Sequence, residues 1–568
     1  MDSTELKPWV RFYQKGVPET VDIPEHTLPQ SLAIAAEKYP ASPASIFFDQ
    51  VISYKKLDGL VTRFAAGLQS LGVKKGDRVL MFMPNCPQFL IAFYGALRAG
   101  AIVVPTNPQY VARELAYQAS DSGAETVVAL TMSWKTVREA RPQTRLRNVI
   151  LSNIKEYFSP LLRFLFTVAK EKKEGHRADV RGEPGVVSFQ SVLQGAGSLR
   201  PVEVTQSDVA VLGYTGGTTG VSKGAMLTHR NLVAQAAITL AWFPDKQPGK
   251  DVLMGALPLF HSFGMTCVMN IGVHLAAGMI LVPNPRDLPT VLKAAHKHRP
   301  TIFCGVPTMY AAINNFKDLG EYDLTSIKYC TSGAAPLPEE VQVTFERTTG
   351  GKLVEGYGLT ETCSPTHINP MEGTRKIGTI GVPVPNTMAK IVDPATGADL
   401  PVGQVGEIAV QSPQVMAGYW NKPEETAAVM LPGGFFLTGD LGTMDEDGFF
   451  KVVDRKKDMF IVGGFNVYPR EVEEVLYQHP KVLEAAVVGI PDVQRGDNLK
   501  AYVVLKAGQT ATADEIISYC RQNLTRYKVP REVEFRQSLP KTMVGKILRR
   551  VLRDEELARR AGRQPDEK

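Results

Sequence analysis

Cysteine is scarce in this chain of 568 residues and shows no pairing pattern. Cys86, Cys267, Cys304, Cys330, Cys363 and Cys520 are scattered, with no CxxC and no Cys/His spacing of a metal site. A disulfide framework and a zinc cluster are thereby disfavoured, and the thiols read mostly as buried apolar side chains. Excess charge is also missing. A formal net charge of +6, with no basic low-complexity arm, argues against nucleic acid as a partner. The opening "MDSTELKPWV" carries acidic residues and no apolar run, so it does not read as a secretory signal. The longest apolar run, Cys267 to Val282, is interrupted by Asn270 and His274 and reads as helix, turn and buried strand rather than a membrane span. A cytoplasmic location is the resulting expectation.

What is present is an ordinary globular composition, 44% hydrophobic and 21% charged, in a chain long enough for about three or four domains. From about Leu28 onward, helical periodicity alternates with short apolar strands: "DRVLMFMP", "QFLIAFYGALRAG", "AIVVPTNP" and "ELAYQASDSGAETVVAL" follow one another directly. The same pattern returns in "DVLMGALPL", "DLPTVLKAAHKHRPTIFCGVP" and "SIKYCTSGAAPLP". It predicts mostly parallel sheets covered by helices, with ligands gathering at loops beyond the carboxyl ends of the strands. Near Met388 the spacing of Pro, Gly and Asp turns changes to that of an antiparallel β subdomain, about 386–453. After "DRKKD", Asp454 to Asp458, a smaller unit opens with helix, strand, strand, helix and strand signals. The division expected is 1–456 and 457–568.

Between the two blocks of alternation lies "YTGGTTGVSKGAML", Tyr214 to Leu227. Its glycines let main-chain N–H groups approach a ligand, its hydroxyls add donors, and Lys223 adds a positive charge: an inventory suited to phosphate. The ordinary nucleotide P-loop has its lysine after glycine and before Ser or Thr, whereas Lys223 stands between Ser222 and Gly224. A P-loop NTPase is therefore disfavoured.

Four further stretches appear in fixed order: "EGYGLTET" (Glu355 to Thr362), "LTGD" (Leu437 to Asp440), "DRKKDMFIVGGFNVYPREVE" (Asp454 to Glu473) and "LPKTMVGKILRR" (Leu539 to Arg550). With the glycine loop, they make the chain resemble the AMP-forming ligase superfamily of acyl-CoA synthetases, peptide-synthetase adenylation domains and beetle luciferases. The wording of the loop, of "DRKKDMFIVGGFNVYPREVE", of "YKVPREVEF" and of "GKILRR" is closest to bacterial long-chain fatty-acid CoA ligases. The resemblance implies an α/β fold: a large N-terminal domain of helix-covered, mostly parallel sheets with a small β-barrel-like subdomain, and a smaller mobile α+β C-terminal domain.

It also implies a two-step reaction, in which a carboxylate attacks the α-phosphate of ATP and CoA then displaces AMP. Phosphoryl chemistry of this kind needs positioning and charge neutralisation more than a protein nucleophile. By that resemblance Thr215, Gly216, Gly217, Thr218, Thr219, Gly220 and Lys223 cradle the leaving phosphates. Gly333, Ala334, Ala335 and Gly356, Tyr357, Gly358 line the adenine site, Tyr357 offering a flat face. Thr360 stands near the phosphates, Glu361 carries Mg2+, Asp440 accepts from the ribose hydroxyls, and Arg455 touches the ribose region. Lys546 is the catalytic cation of the adenylation step. Lys457 is the hinge, and Gly463 and Gly464 meet the pantetheine arm of CoA. His261, Gly305 and Gly333 border the acyl pocket, with the small Gly305 leaving room for a chain. Read as bare residues, Glu361 is a solvated loop carboxylate, His261 a satisfied structural histidine and "GGFN" a β turn.

The expected small molecules are thus a fatty acid, ATP with Mg2+, and CoA. Medium-chain or aryl acids, and loading of a carrier protein, remain alternatives for the acyl step. One stretch lies outside these motifs. "YFSPLLRFLFTVAKEKKEG", residues 157–175, sets a short apolar block against a lysine-rich one. It suits either an interfacial helix, placing the chain peripherally on a membrane, or a surface helix packing its apolar side on the protein. The oligomeric state is left open, a homodimer being one arrangement.

Overall fold

Largely apolar strand segments such as Arg78–Phe82 and Thr126–Leu130 alternate with amphipathic helices, and a strand buried on both faces is most readily accommodated in a parallel sheet. The computed structural model describes residues 7–195, 197–215, 222–456, 458–462, 465–492, 496–542, 545–560 and 562. These form two compact units: one holds residues up to 215, 222–388 and 411–428, the other residues 389–410 and those from 429 onward.

The first unit contains two large sheets. In the seven-stranded sheet the order is Val186–Ser188, Asn148–Ser152, Thr126–Leu130, Arg78–Phe82, Ile102–Pro105, Val209–Tyr214 and Gly224–Thr228. All neighbours run parallel except the last pair, which forms a hairpin around the glycine loop. The nine-stranded sheet runs Val382–Pro383, Ser364–Ile368, Lys352–Leu359, Tyr329–Ser332, Ile302–Gly305, Val252–Gly255, Gly278–Leu281, Pro43–Phe47 and Gln50–Ser53. Its centre is parallel and its flanking strands antiparallel. Helices such as Pro87–Arg98 and Tyr54–Ser70 supply the cover. Phe64 and Phe89 are fully buried there, and Phe64 stacks on Phe189 at 4.8 Å. Each such ring removed from water stabilises the fold by roughly 1.5–3 kcal/mol.

The second unit begins with the strand Met388–Val392, beside Gly406–Gln411 in a five-stranded sheet completed by the antiparallel strands Phe435–Met444, Met430–Leu431 and Phe450–Arg455. A further sheet orders Phe465–Val467, Phe460–Val462, Gly496–Leu505 and Val482–Asp492, with Glu532–Phe535 parallel to Gly496–Leu505. Helices Pro469–Gln478 and Ala513–Asn523 pack Val472, Leu476, Ile516 and Cys520 against Val487 and Val503. Helix Arg549–Arg560 places Leu552 with Ala486, Val488 and Tyr502. The sequence pattern misses the first feature here. A hairpin of two three-residue strands, Phe460–Val462 and Phe465–Val467, precedes the helix; strands this short carry too little alternation to be read.

Antiparallel pairing of Lys352–Leu359 with Ser364–Ile368 presents the Thr360–Thr362 turn, and it is unusually close. A Cβ on Gly358 would stand 1.9 Å from the Ser364 carbonyl oxygen. Gly358→Ala is therefore expected to lower stability by about 1–3 kcal/mol and to depress the thermal midpoint. An unchanged midpoint would show that the hairpin yields more easily than its backbone contact implies.

Candidate active site

Two constellations carry the residues singled out by the sequence, one in each unit. In the first, the hairpin Val209–Tyr214 and Gly224–Thr228 closes where the Thr215 N–H donates to the Lys223 carbonyl at 3.0 Å. The Ser222 hydroxyl donates to the Thr215 carbonyl. Tyr117 OH donates to the Ser222 carbonyl at 2.7 Å, and Tyr214 OH to Asp121 at 2.6 Å. The base of the glycine loop is thus fixed by backbone and phenol donors. Gly216, Gly217, Thr218, Thr219 and Gly220 lie outside the described residues.

Lys223 is half-buried at the loop's exit, forming an ion pair with Glu425 and standing 4.9 Å from the ring centroid of Tyr419. The Lys223 ammonium holds the Glu425 carboxyl below its ordinary range. Tyr419 OH in turn donates to Glu361 Oε1 at 2.8 Å. Burial, and then the Glu361 charge, push the phenol's pKa well up, so it remains a donor. Tyr419 therefore couples Lys223 to Glu361, two residues 138 positions apart. Neither Tyr419 nor Glu425 was among the sequence candidates. "MAGYWNKPEET", Met416 to Thr426, follows an expected strand, and no local pattern in it marks Tyr419's two partners.

Thr360 is brought to the same place by missing side chains: a Cβ on Gly213 would lie 2.7 Å from Thr360 Cγ2. Ser262 Oγ stands 3.3 Å from Thr360 Oγ1. Tyr357 and Gly356 are half-buried on the strand leading to this turn, Gly358 is exposed, and the Tyr357 ring meets His367 edge-on at 5.9 Å. Gly333, Ala334 and Ala335 follow the buried strand Tyr329–Ser332. Ala334 holds φ at +68°, a left-handed conformation that a side chain disfavours. A Cβ on Gly333 would stand 3.1 Å from the Phe263 ring, which ties this turn to the His261–Phe263 segment. His261 Nδ1 accepts the Phe263 N–H at 3.3 Å, so the imidazole caps the next short helix.

Gly305 is packed closely on one side. The space on the side where its Cβ would stand is filled by Tyr310, whose hydroxyl oxygen would lie 3.0 Å from that atom. Tyr310 is fully buried and donates to the Phe303 and Thr331 carbonyls. The glycine there accommodates a tyrosine ring, which sequence spacing alone does not distinguish from room for an acyl chain.

In the second unit Asp440 is buried opposite Arg455 across neighbouring strands, with Arg455 Nε 3.4 Å from Asp440 Oδ1. The preceding Gly439 sits at φ +74° and donates to Glu407 Oε1 at 2.9 Å. Lys546 occupies a tight turn: its N–H donates to Thr542 Oγ1, the Thr542 N–H donates to its carbonyl, and Gly545 supplies φ +73°. Burial, and then the nearby Arg455 cation, push the Lys546 ammonium down to about 8 against the opposing pull of Asp440 and Asp458. Asp440, Arg455 and Lys546 thus share one electrostatic environment. Lys457, Gly463 and Gly464 lie outside the described residues.

Residues 32–420 match the AMP-binding enzyme family. The chain belongs to the AMP-binding enzymes. Residues 471–546 match the AMP-binding enzyme C-terminal domain. This AMP-binding enzyme is 43% identical to a long-chain-fatty-acid–CoA ligase of Bacillus subtilis strain 168, over 97% of this chain and 98% of the relative. It is 42% identical to a long-chain-fatty-acid–CoA ligase of Yersinia pestis over the same shares. Among solved structures, it resembles the anthranilate CoA ligase AuaEII in complex with anthranoyl-AMP, with TM-score 0.83 and 26% identity over 94% of this chain and 98% of that one. ATP-bound MatB from Rhodopseudomonas palustris gives TM-score 0.80 and 30% identity over 93% and 99%.

Two outcomes follow from the geometry of this AMP-binding enzyme. Tyr419→Phe keeps the ring under Lys223 but removes the donor to Glu361, an interaction of about 1.5–3 kcal/mol for a charged acceptor. The kcat/KM for ATP should fall at least about tenfold with the fold intact; parity with the parent enzyme would mean that Tyr419 does not set the Glu361 carboxylate. For Lys546, a lysine whose folded pKa lies near 8 loses its positive charge as pH rises through that value. The kcat/KM of ATP-dependent adenylate formation should therefore decline above about pH 8, and Lys546→Arg should lack this inflection. A plateau extending past pH 10 in the parent enzyme would rule out the depressed ammonium as the group that titrates.

Proposed function

We propose that this AMP-binding enzyme is a long-chain fatty-acid CoA ligase, forming acyl-AMP and pyrophosphate and then acyl-CoA and AMP. The reading is carried by the 43% identity that extends over 97% of the chain to a relative named for that activity. The local chemistry agrees with it. A fatty carboxylate is ionised at neutral pH, so no general base is needed. Its oxygen attacks the α-phosphorus, the bond to the bridging oxygen breaks, and pyrophosphate leaves. Thr215, the loop 216–220 and Lys223 would hold the β- and γ-phosphates, with Lys223 kept at hand by Tyr419 and Glu425. Tyr357 and the Gly333–Ala335 turn would flank adenine, Thr360 the phosphates, and Asp440 with Arg455 the ribose.

Glu361 is the residue that would hold Mg2+. Among the described residues no group of three or more acidic, His or Cys side chains could bind a metal by itself. A single carboxylate, steadied by the Tyr419 hydroxyl, suits an ion that shares its shell with ATP oxygens and water. When bound, the ion supplies charge neutralisation at the phosphates.

Lys546 would place its ammonium between the incoming carboxylate and the α-phosphate, neutralising charge as it develops. For the second half-reaction, rotation of 457–568 about Lys457 would withdraw Lys546 and bring Gly463 and Gly464 to the pantetheine arm. The CoA sulfur then attacks the acyl carbon, the bond to the AMP oxygen breaks, and the thiol proton passes to solvent. His261 and Gly333 would border the acyl group. Gly305, packed against Tyr310, would act from behind this wall rather than by leaving an open slot.

The substrate is tested by identifying acyl-CoA products by mass from acetate, octanoate, palmitate, oleate and 4-coumarate, with AMP release followed with and without CoA. CoA-dependent turnover of palmitate or oleate is expected; turnover of coumarate alone would discard the fatty substrate. Lys546→Ala should lose adenylate formation by at least about 100-fold while still converting supplied acyl-AMP and CoA to the thioester. Equal loss of both half-reactions would contradict the role assigned to it.

A further inference from the structure

Lys223, the cation at the exit of the glycine loop, is already engaged by a carboxylate. Its ammonium pairs with Glu425 Oε2, and the Tyr419 ring lies against it at 4.9 Å. Glu425 stands on the short helix Pro423–Ala427, where Lys422 approaches its other oxygen, Oε1, at 3.7 Å. Lys223 first, and Lys422 after it, hold this carboxyl below its ordinary range, so it is ionised at neutral pH.

The ion pair is not what builds this corner. The Trp420 N–H donates to the Gly224 carbonyl at 2.8 Å, the Met226 N–H to the Gly418 carbonyl at 2.8 Å and the Ala417 N–H to the Met226 carbonyl at 2.9 Å. The chain leading to the short helix is thus laced to the strand Gly224–Thr228. The Thr426 hydroxyl then accepts the Tyr419 N–H and donates to the Lys422 carbonyl, each at 2.9 Å. On the other side, the Lys223 carbonyl accepts the Thr215 N–H. Both backbones are set without the pair, and the two side chains, 31% and 41% exposed, can exchange partners while the backbone stays still.

We propose that Glu425 is a placeholder anion: it occupies Lys223 before nucleotide arrives, gives the ammonium up to the β- and γ-phosphates of ATP, and takes it back as pyrophosphate leaves. This rests on the assignment of Lys223 to the leaving phosphates and adds a residue that sets their affinity. An ion pair this exposed is weak, so a ligand carrying several negative charges displaces the carboxylate. Lys422, three residues before Glu425, gives the displaced carboxylate a second cation to turn to. The Tyr419 ring keeps the ammonium beside the loop during the exchange. A carboxylate that competes in this way weakens the hold on ATP and on pyrophosphate alike and hastens departure of the product. One that merely positions the lysine strengthens both, so the sign of its effect separates the two roles.

The test is titration calorimetry of the full-length protein with MgATP and with magnesium pyrophosphate, fatty acid and CoA being left out. Glu425→Gln keeps the shape and removes the charge. It should bind both ligands roughly two- to fivefold more tightly than the parent, the range expected for release of one exposed ion pair. In a Lys223→Ala background, where binding should be severalfold weaker, the glutamine should no longer tighten it. Persistent tightening there would show that Glu425 acts on the phosphates directly and would overturn the exchange. Weaker binding by Glu425→Gln would make Glu425 a positioning partner, and unchanged binding would make the pair inconsequential; either result overturns the proposal, yet leaves Lys223 at the phosphates if Lys223→Ala weakens binding. Ligands held by Lys223→Ala as tightly as by the parent would instead remove the lysine from the phosphate site, and the proposal with it.

Discussion

The strand Val209–Tyr214 closes on the Thr360–Thr362 turn at Gly213, which has no side chain to place there. A methyl group at that position would reach within 2.7 Å of Thr360. The first constellation depends on this approach. It brings the outer hairpin of the seven-stranded sheet to a turn projecting from the nine-stranded sheet, so that Lys223, Thr360 and Glu361 share one locality. Gly358 enforces the same closeness from the other side, against the Ser364 carbonyl. The polar groups come from distant parts of the chain, but backbone proximity decides that they meet.

In the second unit electrostatics takes over the task of placement. Arg549 donates to Glu473 at 2.8 Å and to Asp458 at 3.3 Å, and lies 3.9 Å from Asp454. Asp454 accepts the N–H groups of Arg455 and Arg470, and burial raises its carboxyl to about 6. Arg549 follows Lys546 by three residues, while Arg455 is the cross-strand partner of Asp440. The turn carrying the lysine is thereby tied to the strand facing the aspartate through buried charges. Such pairs contribute little net stability against apolar packing, yet losing one partner is costly, so they favour one arrangement over others.

Much of this was legible in the sequence. Alternation of apolar strands and amphipathic helices is imposed locally, strand by strand, and the sheets follow it. The motif positions could be read because glycine, threonine and charged residues cluster in short windows. Tyr419 could not, since its partners, Lys223 and Glu361, are remote in sequence and its importance is purely spatial. Gly305 is ambiguous for a related reason: a glycine records that something approaches closely without saying what, and Tyr310 does so on the side of its missing Cβ. The helix Pro160–Ala169 was visible as periodicity, but periodicity does not say which way a helix turns, and Leu161, Phe164, Leu165 and Val168 face solvent.

All six cysteines are buried, and burial holds Cys86 up at about 12 and Cys304 and Cys520 at about 11. An acyl-adenylate is an acylating agent, and a thiolate is the nucleophile best matched to it. An enzyme that hands such an intermediate to CoA therefore competes with its own sulfur atoms. By keeping every thiol protonated and out of reach, the fold leaves the incoming cosubstrate as the sulfur nucleophile available for capture. Self-acylation, a dead end for this chemistry, is closed off by packing, even at Cys363, which directly follows the Thr360–Thr362 turn.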